Sequence, residues 1–179
     1  FFIPRLIANM APAQIAMQLG MTGANWSLSS ACASGGHAIG EAARLIRAGT
    51  LDLVITGGAE AAVTPLAIAG FAAMRALSKW QGDPTHASRP FDQQRDGFVL
   101  AEGAGILVLE DWQKACARGA RIYAELIGYG ANTDAYHMTM PAPEGKGAAA
   151  CMQLALRDAE IDPTAVQYIN AHGTSTPYN

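Results

Sequence analysis

Apolar and polar positions along the chain switch repeatedly between helical and extended spacing. Residues 12–19 carry Ile15, Ala16 and Leu19 on one side and stop at Gly20, which predicts a short helix. Residues 26–31 read as a strand. Residues 35–47 then set Ala38, Ile39, Ala42, Leu45 and Ile46 on one helical face, closed by Gly49. Residues 51–56 read as a buried strand, with a Gly57-Gly58 turn leading to Glu60. The nearly all-apolar residues 65–74 predict a helix buried on every side. Residues 77–96, with Trp80, Gly82, Pro84 and Pro90 among several charges, form the one long irregular stretch and are expected to be an ordered surface loop. Beyond it, strands are expected at 105–110 and 122–129 around a helix at 112–118, followed by a helix at 145–160 and a last strand at 166–170. Such alternation argues for an α/β fold with helical cover.

Composition narrows the possibilities. Apolar residues make up 50% of the 179 positions and charged residues 15%, against about a quarter in ordinary domains. A net charge of -3 leaves no basic field for phosphates, so nucleic acid is not an expected partner. The longest apolar stretch, broken by Thr64 and Pro65, is shorter than the roughly 20 residues of a membrane span. The low charge for this length predicts that much of the surface lies against other protein. The opening Phe1-Phe2-Ile3-Pro4 and the closing Pro177-Tyr178-Asn179 read as the middle of a longer chain. Three widely spaced cysteines without a C-x-x-C pair fit neither a disulfide framework nor a zinc site, and suit a reducing cytosol, hence a cytoplasmic location.

Two segments can carry chemistry. In Ser29-Ser30-Ala31-Cys32-Ala33-Ser34-Gly35-Gly36-His37 a strand runs into small residues that open a helix, so Cys32 stands at a strand-to-helix turn. Small neighbours let a carbonyl approach, and the helix N-terminus favours a thiolate and offers N–H groups to an oxyanion. The plain alternative is a structural cysteine in a packing seam of small residues. Cys116 and Cys151, mid-helix among alanines, are expected to be filler. In Tyr168-Ile169-Asn170-Ala171-His172-Gly173-Thr174-Ser175-Thr176-Pro177, His172 follows a strand and precedes a hydroxyl-rich turn. Ligands of open α/β sheets sit at the carboxyl ends of strands, where a histidine can move protons and Thr174 and Thr176 can hold a polar arm. A histidine capping an ordinary turn is the alternative. Gly103-Ala104-Gly105 leads into a strand and Gly57-Gly58 lacks the partners of a phosphate loop, so a nucleotide site is not expected.

Taken with Gly57-Gly58-Ala59-Glu60, Gly70-Phe71, Arg75-Ala76-Leu77-Ser78, Ser88-Arg89-Pro90-Phe91-Asp92, Arg95-Asp96-Gly97-Phe98-Val99, Glu102-Gly103-Ala104-Gly105 and Asp134-Ala135-Tyr136-His137-Met138-Thr139, these segments resemble the condensing enzymes of the thiolase superfamily, most of all the β-ketoacyl-[acyl carrier protein] synthase II type. The resemblance covers essentially the whole chain. It implies a layered αβαβα fold, of which 1–179 would be an incomplete central portion: the end of the N-terminal half and the start of the C-terminal half of one synthase domain. It implies that Cys32 is the nucleophile that takes an acyl chain from the phosphopantetheine thioester of acyl carrier protein. His172 would be one of two active-site histidines serving the decarboxylation of malonyl-carrier protein. Thr174, Thr176 and Thr139 would contact the pantetheine arm, Phe71 would wall the acyl pocket, and Arg75 would meet the acidic carrier. No cofactor or metal of the enzyme's own is implied, and a homodimer is.

The same resemblance places the second histidine, a lysine and a glycine-rich gating loop beyond Asn179, so the 179-residue chain alone is expected to be inactive and poorly soluble. Within enzymes, a polyketide ketosynthase is the competing reading. A non-catalytic chain-length partner subunit would lack the cysteine, and a Cys-His protease of unrelated fold is a third possibility.

Overall fold

The computed structural model describes residues 2–178, which fall into two compact units. The first comprises Phe1–Gly58 with Gly105–Glu160, and the second Ala59–Ala104 with Ile161–Asn179.

In the first unit, α1 (Ile3–Leu6) and α2 (Met10–Leu19) precede the longer α3 (Ser34–Arg47). Gly20 takes a left-handed conformation and ends α2 where the sequence places the stop. Strands β1 (Leu53–Glu60) and, later in the chain, β2 (Gly103–Glu110), of which residues 53–58 and 105–110 belong to this unit, pair in a two-stranded sheet. After β2 come α5 (Trp112–Ala117), capped by the Asp111 carboxylate, and α6 (Lys146–Ala159). Apart from α1, which the sequence reading did not expect, these helices agree with the expectation to within two residues at each end.

The Gly57-Gly58 pair is not a turn, because β1 runs straight through it to Glu60. These glycines serve close approach instead. A Cβ on Gly57, which has φ 146, would collide with the carbonyl oxygen of Gly105 in β2. On the other side, a Cβ on Gly58 would lie 3.4 Å from the Cα of Gly35 at the start of α3. The glycines thus let helix, strand and strand lie backbone against backbone.

Strands expected at 26–31, 122–129 and 166–170 do not form. A strand exists only with a neighbour to exchange N–H and C=O bonds, and among the described residues only β1 and β2 supply one another with that neighbour. Residues 126–130 are instead held by α3 and α6. Arg47 donates to the Leu126 carbonyl and to Asp158, whose carboxylate also accepts the Tyr129 N–H at 2.8 Å. The Arg47 guanidinium and then this N–H keep the Asp158 carboxyl below its ordinary pKa. Gly40 of α3 receives the Tyr129 ring, and side chains at Gly128 or Gly130 would strike α6.

The second unit holds α4 (Pro65–Ala73), entered through Pro65 and capped by the Thr64 hydroxyl. The expectation that it is buried on every side does not hold: none of its residues is buried, and Leu66 is 84% exposed. Its all-round apolar surface marks it as an element meant for complete burial, and the described residues do not cover it. The same is true widely, since Ala42, Ala43 and Ala115 are the only buried apolar residues among those described. The loop 77–96 is ordered, as expected, with a 3-10 turn at Pro84–His86.

Candidate active site

Cys32 is exposed and stands two residues ahead of α3. The chain reverses at Ala31, whose φ of 50 is unusual for a residue with a side chain. Ser34 stabilises that kink from inside the first turn: its hydroxyl accepts the Ser30 N–H at 2.8 Å and donates to the Ala31 carbonyl at 2.7 Å. Ser30 Oγ and His37 Nδ1 are hydrogen-bonded at 2.6 Å, so His37 serves the local structure of this turn. The kink leaves Cys32 exposed next to the N-terminus of a 14-residue helix, where the helix dipole favours an anion. Gly35, against Gly58, fixes that helix end upon β1.

Of the other two cysteines, Cys116 is exposed and Cys151 half-buried. Cys116 lies in α5, and Cys151 in α6 donates its thiol to the Gly130 carbonyl. Thr139, also in the first unit, is exposed on a turn where its N–H and that of Met140 both donate to His137 Nδ1 at 3.1 Å.

The remaining five residues singled out in the sequence lie in the second unit. His172 is exposed at the head of a turn in which Gly173 (φ 49) and Ser175 (φ 63) are both left-handed. Two such reversals two residues apart bring the hydroxyls of Thr174 and Thr176 to 2.6 Å from each other. Between them, Ser175 is fully buried, its hydroxyl accepting the Arg89 N–H and its carbonyl the Gly97 N–H at 2.9 Å. Phe71 packs edge-to-face on Phe98, with ring centroids 5.1 Å apart. Arg75 is exposed just past the end of α4, with φ 56.

A framework of loop residues unites these parts, and it is what the sequence reading of individual roles missed. Asp96 accepts the Ser78 hydroxyl at 2.6 Å, the Lys79 N–H at 2.8 Å and the Arg89 guanidinium at 2.9 Å. The Ser78 hydroxyl and then the Lys79 N–H lower the Asp96 pKa below its ordinary value. Gly97 and Phe98, next along, connect to the His172 turn and to Ala76 respectively. Arg95 reaches the same turn with a fork of bonds: Nε to the Thr176 carbonyl and Nη2 to the Pro177 carbonyl, each at 2.8 Å. The signal available in the sequence was the density of paired charges, Arg89, Asp92, Arg95 and Asp96, within a loop of an otherwise charge-poor chain.

Among the described residues no cluster of three or more His, Cys, Asp or Glu side chains could hold a metal ion. No helix there is long and apolar enough to cross a membrane. What the arrangement offers is an exposed thiol at a helix entrance and, in the other unit, a histidine followed by a rigid pair of hydroxyls.

Residues 1–115 match the family model of the beta-ketoacyl synthase N-terminal domain, and residues 123–179 that of its C-terminal domain. Over 179 residues the chain is 55% identical to 3-oxoacyl-[acyl-carrier-protein] synthase 2 of Synechocystis sp., all of this chain against 43% of that one. The synthase 2 of Staphylococcus aureus is also 55% identical, over 99% of this chain and 44% of its own. Among solved structures, a ketosynthase described in complex with its type II polyketide acyl-carrier protein and bound to the hexaketide superposes with a TM-score of 0.93 at 44% identity, covering 96% of this chain and 42% of that one. A beta-ketoacyl synthase from Burkholderia phymatum gives 0.89, again at 44% identity, over 95% and 41%. The chain thus spans less than half the length of these relatives. Its fold is an incomplete α/β portion of the thiolase-like architecture that the sequence led one to expect.

Proposed function

The chain belongs to the β-ketoacyl synthase family, and from that premise we propose that it supplies the nucleophile and one histidine of a 3-oxoacyl-[acyl carrier protein] synthase of the fatty acid elongation type. The observation that carries the reading is the exposed Cys32 thiol, left beside the Ala31 kink ahead of α3.

The chemistry follows from these groups. The Cys32 thiolate attacks the carbonyl of an acyl thioester carried on the phosphopantetheine arm of acyl carrier protein. The carbon–sulfur bond to the arm breaks, the arm leaves as its thiolate and takes a proton from solvent, and the acyl chain rests on Cys32 as a new thioester of similar energy. Malonyl-carrier protein then loses carbon dioxide. His172, exposed at the head of its turn, supports the enolate oxygen that forms. The enolate carbon attacks the acyl–Cys32 carbonyl, Cys32 departs as thiolate, and the product on the carrier is a 3-oxoacyl chain two carbons longer. Every electron pair is accounted for by the substrates, so the scheme calls for no redox cofactor.

Thr174 and Thr176 hold the amides of the pantetheine arm in this reading, with Thr139 as a further polar contact. Phe71, backed by Phe98, walls the acyl pocket, and Arg75 meets an acidic carrier surface. Acyl carrier protein is the partner, the working form is a homodimer, and the setting is the cytoplasm. A polyketide ketosynthase is the second reading, favoured by the 0.93 superposition on the hexaketide-bound ketosynthase. The 55% identity to the fatty acid enzymes, against 44% to that structure, supports the first. Turnover assays of the full-length protein with saturated acyl-carrier proteins against polyketide intermediates separate the two. Elongation of saturated chains by two carbons is the expected result.

A further inference from the structure

We propose that Arg95 is a positioning residue that sets the hydroxyl pair of Thr174 and Thr176 for the pantetheine arm. The proposal rests on the reading of these threonines given above. Its basis is the geometry of one guanidinium: Nε donates to the Thr176 carbonyl, Nη2 to the Pro177 carbonyl and Nη1 to the Asp92 carbonyl, all at 2.8 Å. Three nitrogens on three carbonyls tie the segment after the hydroxyl pair to the loop 92–97.

The turn needs such a tie. Ser175 is left-handed and fully buried between the two threonines, a conformation that persists only where surrounding contacts over-determine it. The Arg89 and Gly97 N–H groups hold Ser175 itself, and Arg95 holds the two residues that follow. With the backbone held on both sides, the Thr174 and Thr176 side chains start from positions that put their hydroxyls 2.6 Å apart. The pair is therefore pre-organised before any ligand arrives, and an arm that binds it does not have to order it. Only a planar fork can span these carbonyls, and an ammonium cannot.

The test uses the full-length protein with malonyl-acyl carrier protein as the varied substrate, comparing wild type, Arg95→Gln, Arg95→Lys and Thr176→Val. Positioning predicts that Arg95→Gln raises KM for malonyl-acyl carrier protein about tenfold, because the arm must then order the hydroxyl pair as it binds, while kcat changes by less than about threefold. Arg95→Lys, which keeps the charge without the fork, should fall between wild type and Arg95→Gln. It also carries the test should the glutamine variant fail to fold. A rise in KM for Thr176→Val with an unchanged KM for the Arg95 variants, even with a lowered Tm, overturns the role of Arg95 alone. An unchanged KM in all three variants overturns the reading of the threonines together with it.

Discussion

The hydroxyl of Ser78 donates to Oδ1 of Asp96, 18 positions along the chain, at 2.6 Å and so joins two short motifs. Each motif, Arg-Ala-Leu-Ser and Arg-Asp-Gly-Phe, says little alone. Joined through this carboxylate, which also takes the Lys79 N–H and Arg89, they form the frame on which the His172 turn is mounted.

Asp96→Asn should therefore loosen that frame, because an amide has one acceptor oxygen where the carboxylate uses two. Thermal unfolding of the full-length variant is expected to show a lower Tm near pH 7. The Asp96 pKa is depressed in the folded state, so its contribution is present above the ordinary aspartate pKa of about 3.9 and is lost as pH falls through the lower folded value. The difference between wild type and Asp96→Asn should accordingly shrink in acid below about pH 4 and stay constant between pH 5 and 8. A gap that widens on acidification would contradict this account.

Gly57→Ala should be severe. The added Cβ would meet the Gly105 carbonyl oxygen across the strand pair, and the φ of 146 is itself strained for alanine. A loss of about 2–4 kcal/mol is expected, read as a drop in denaturation midpoint or as failure to accumulate soluble protein. A near-neutral substitution would mean that the pair opens freely at this point.

How much of this was legible in the sequence depends on what each residue needs as a partner. Helix α3 and its Gly49 stop follow from periodicity alone, and Cys32 at its entrance follows from the small residues around it. Gly57-Gly58 was misread as a turn because glycine pairs usually punctuate. Here the missing side chains matter through Gly105 and Gly35, residues distant in sequence. Residues 122–129 have strand-like apolar spacing, yet spacing cannot reveal whether a neighbouring strand is at hand. The segment is instead held by Arg47 and Asp158 of the flanking helices. Arg95, Asp96 and Ser175 were visible as motif letters, but their roles lie in bonds across up to 86 positions, which no local pattern encodes.

Ser34→Ala should remove both bonds that support the Ala31 kink at a cost of about 1 kcal/mol in stability. Its larger effect is expected on Cys32. Acylation of the full-length variant, followed in single turnovers, should slow about tenfold while global unfolding shifts little. Unchanged acylation would show that the kink holds its shape without Ser34.

His172→Ala separates the two half-reactions. The variant should still acylate Cys32 to some degree but lose decarboxylation of malonyl-carrier protein by at least about a hundredfold, as removal of a positioned acid–base or oxyanion partner does. Carbon dioxide release and acyl transfer, measured side by side, check this. Equal loss of acylation and decarboxylation would assign His172 a different role.

The central claim is that Cys32 carries the growing chain. It is tested most directly by the intact mass of the full-length protein after exposure to acyl-acyl carrier protein, with Cys32→Ala alongside. The account predicts an adduct of one acyl group on the wild type, mapping to the peptide that contains Cys32 and absent from the variant. An adduct that persists in Cys32→Ala, or none on a folded wild-type protein, would contradict it.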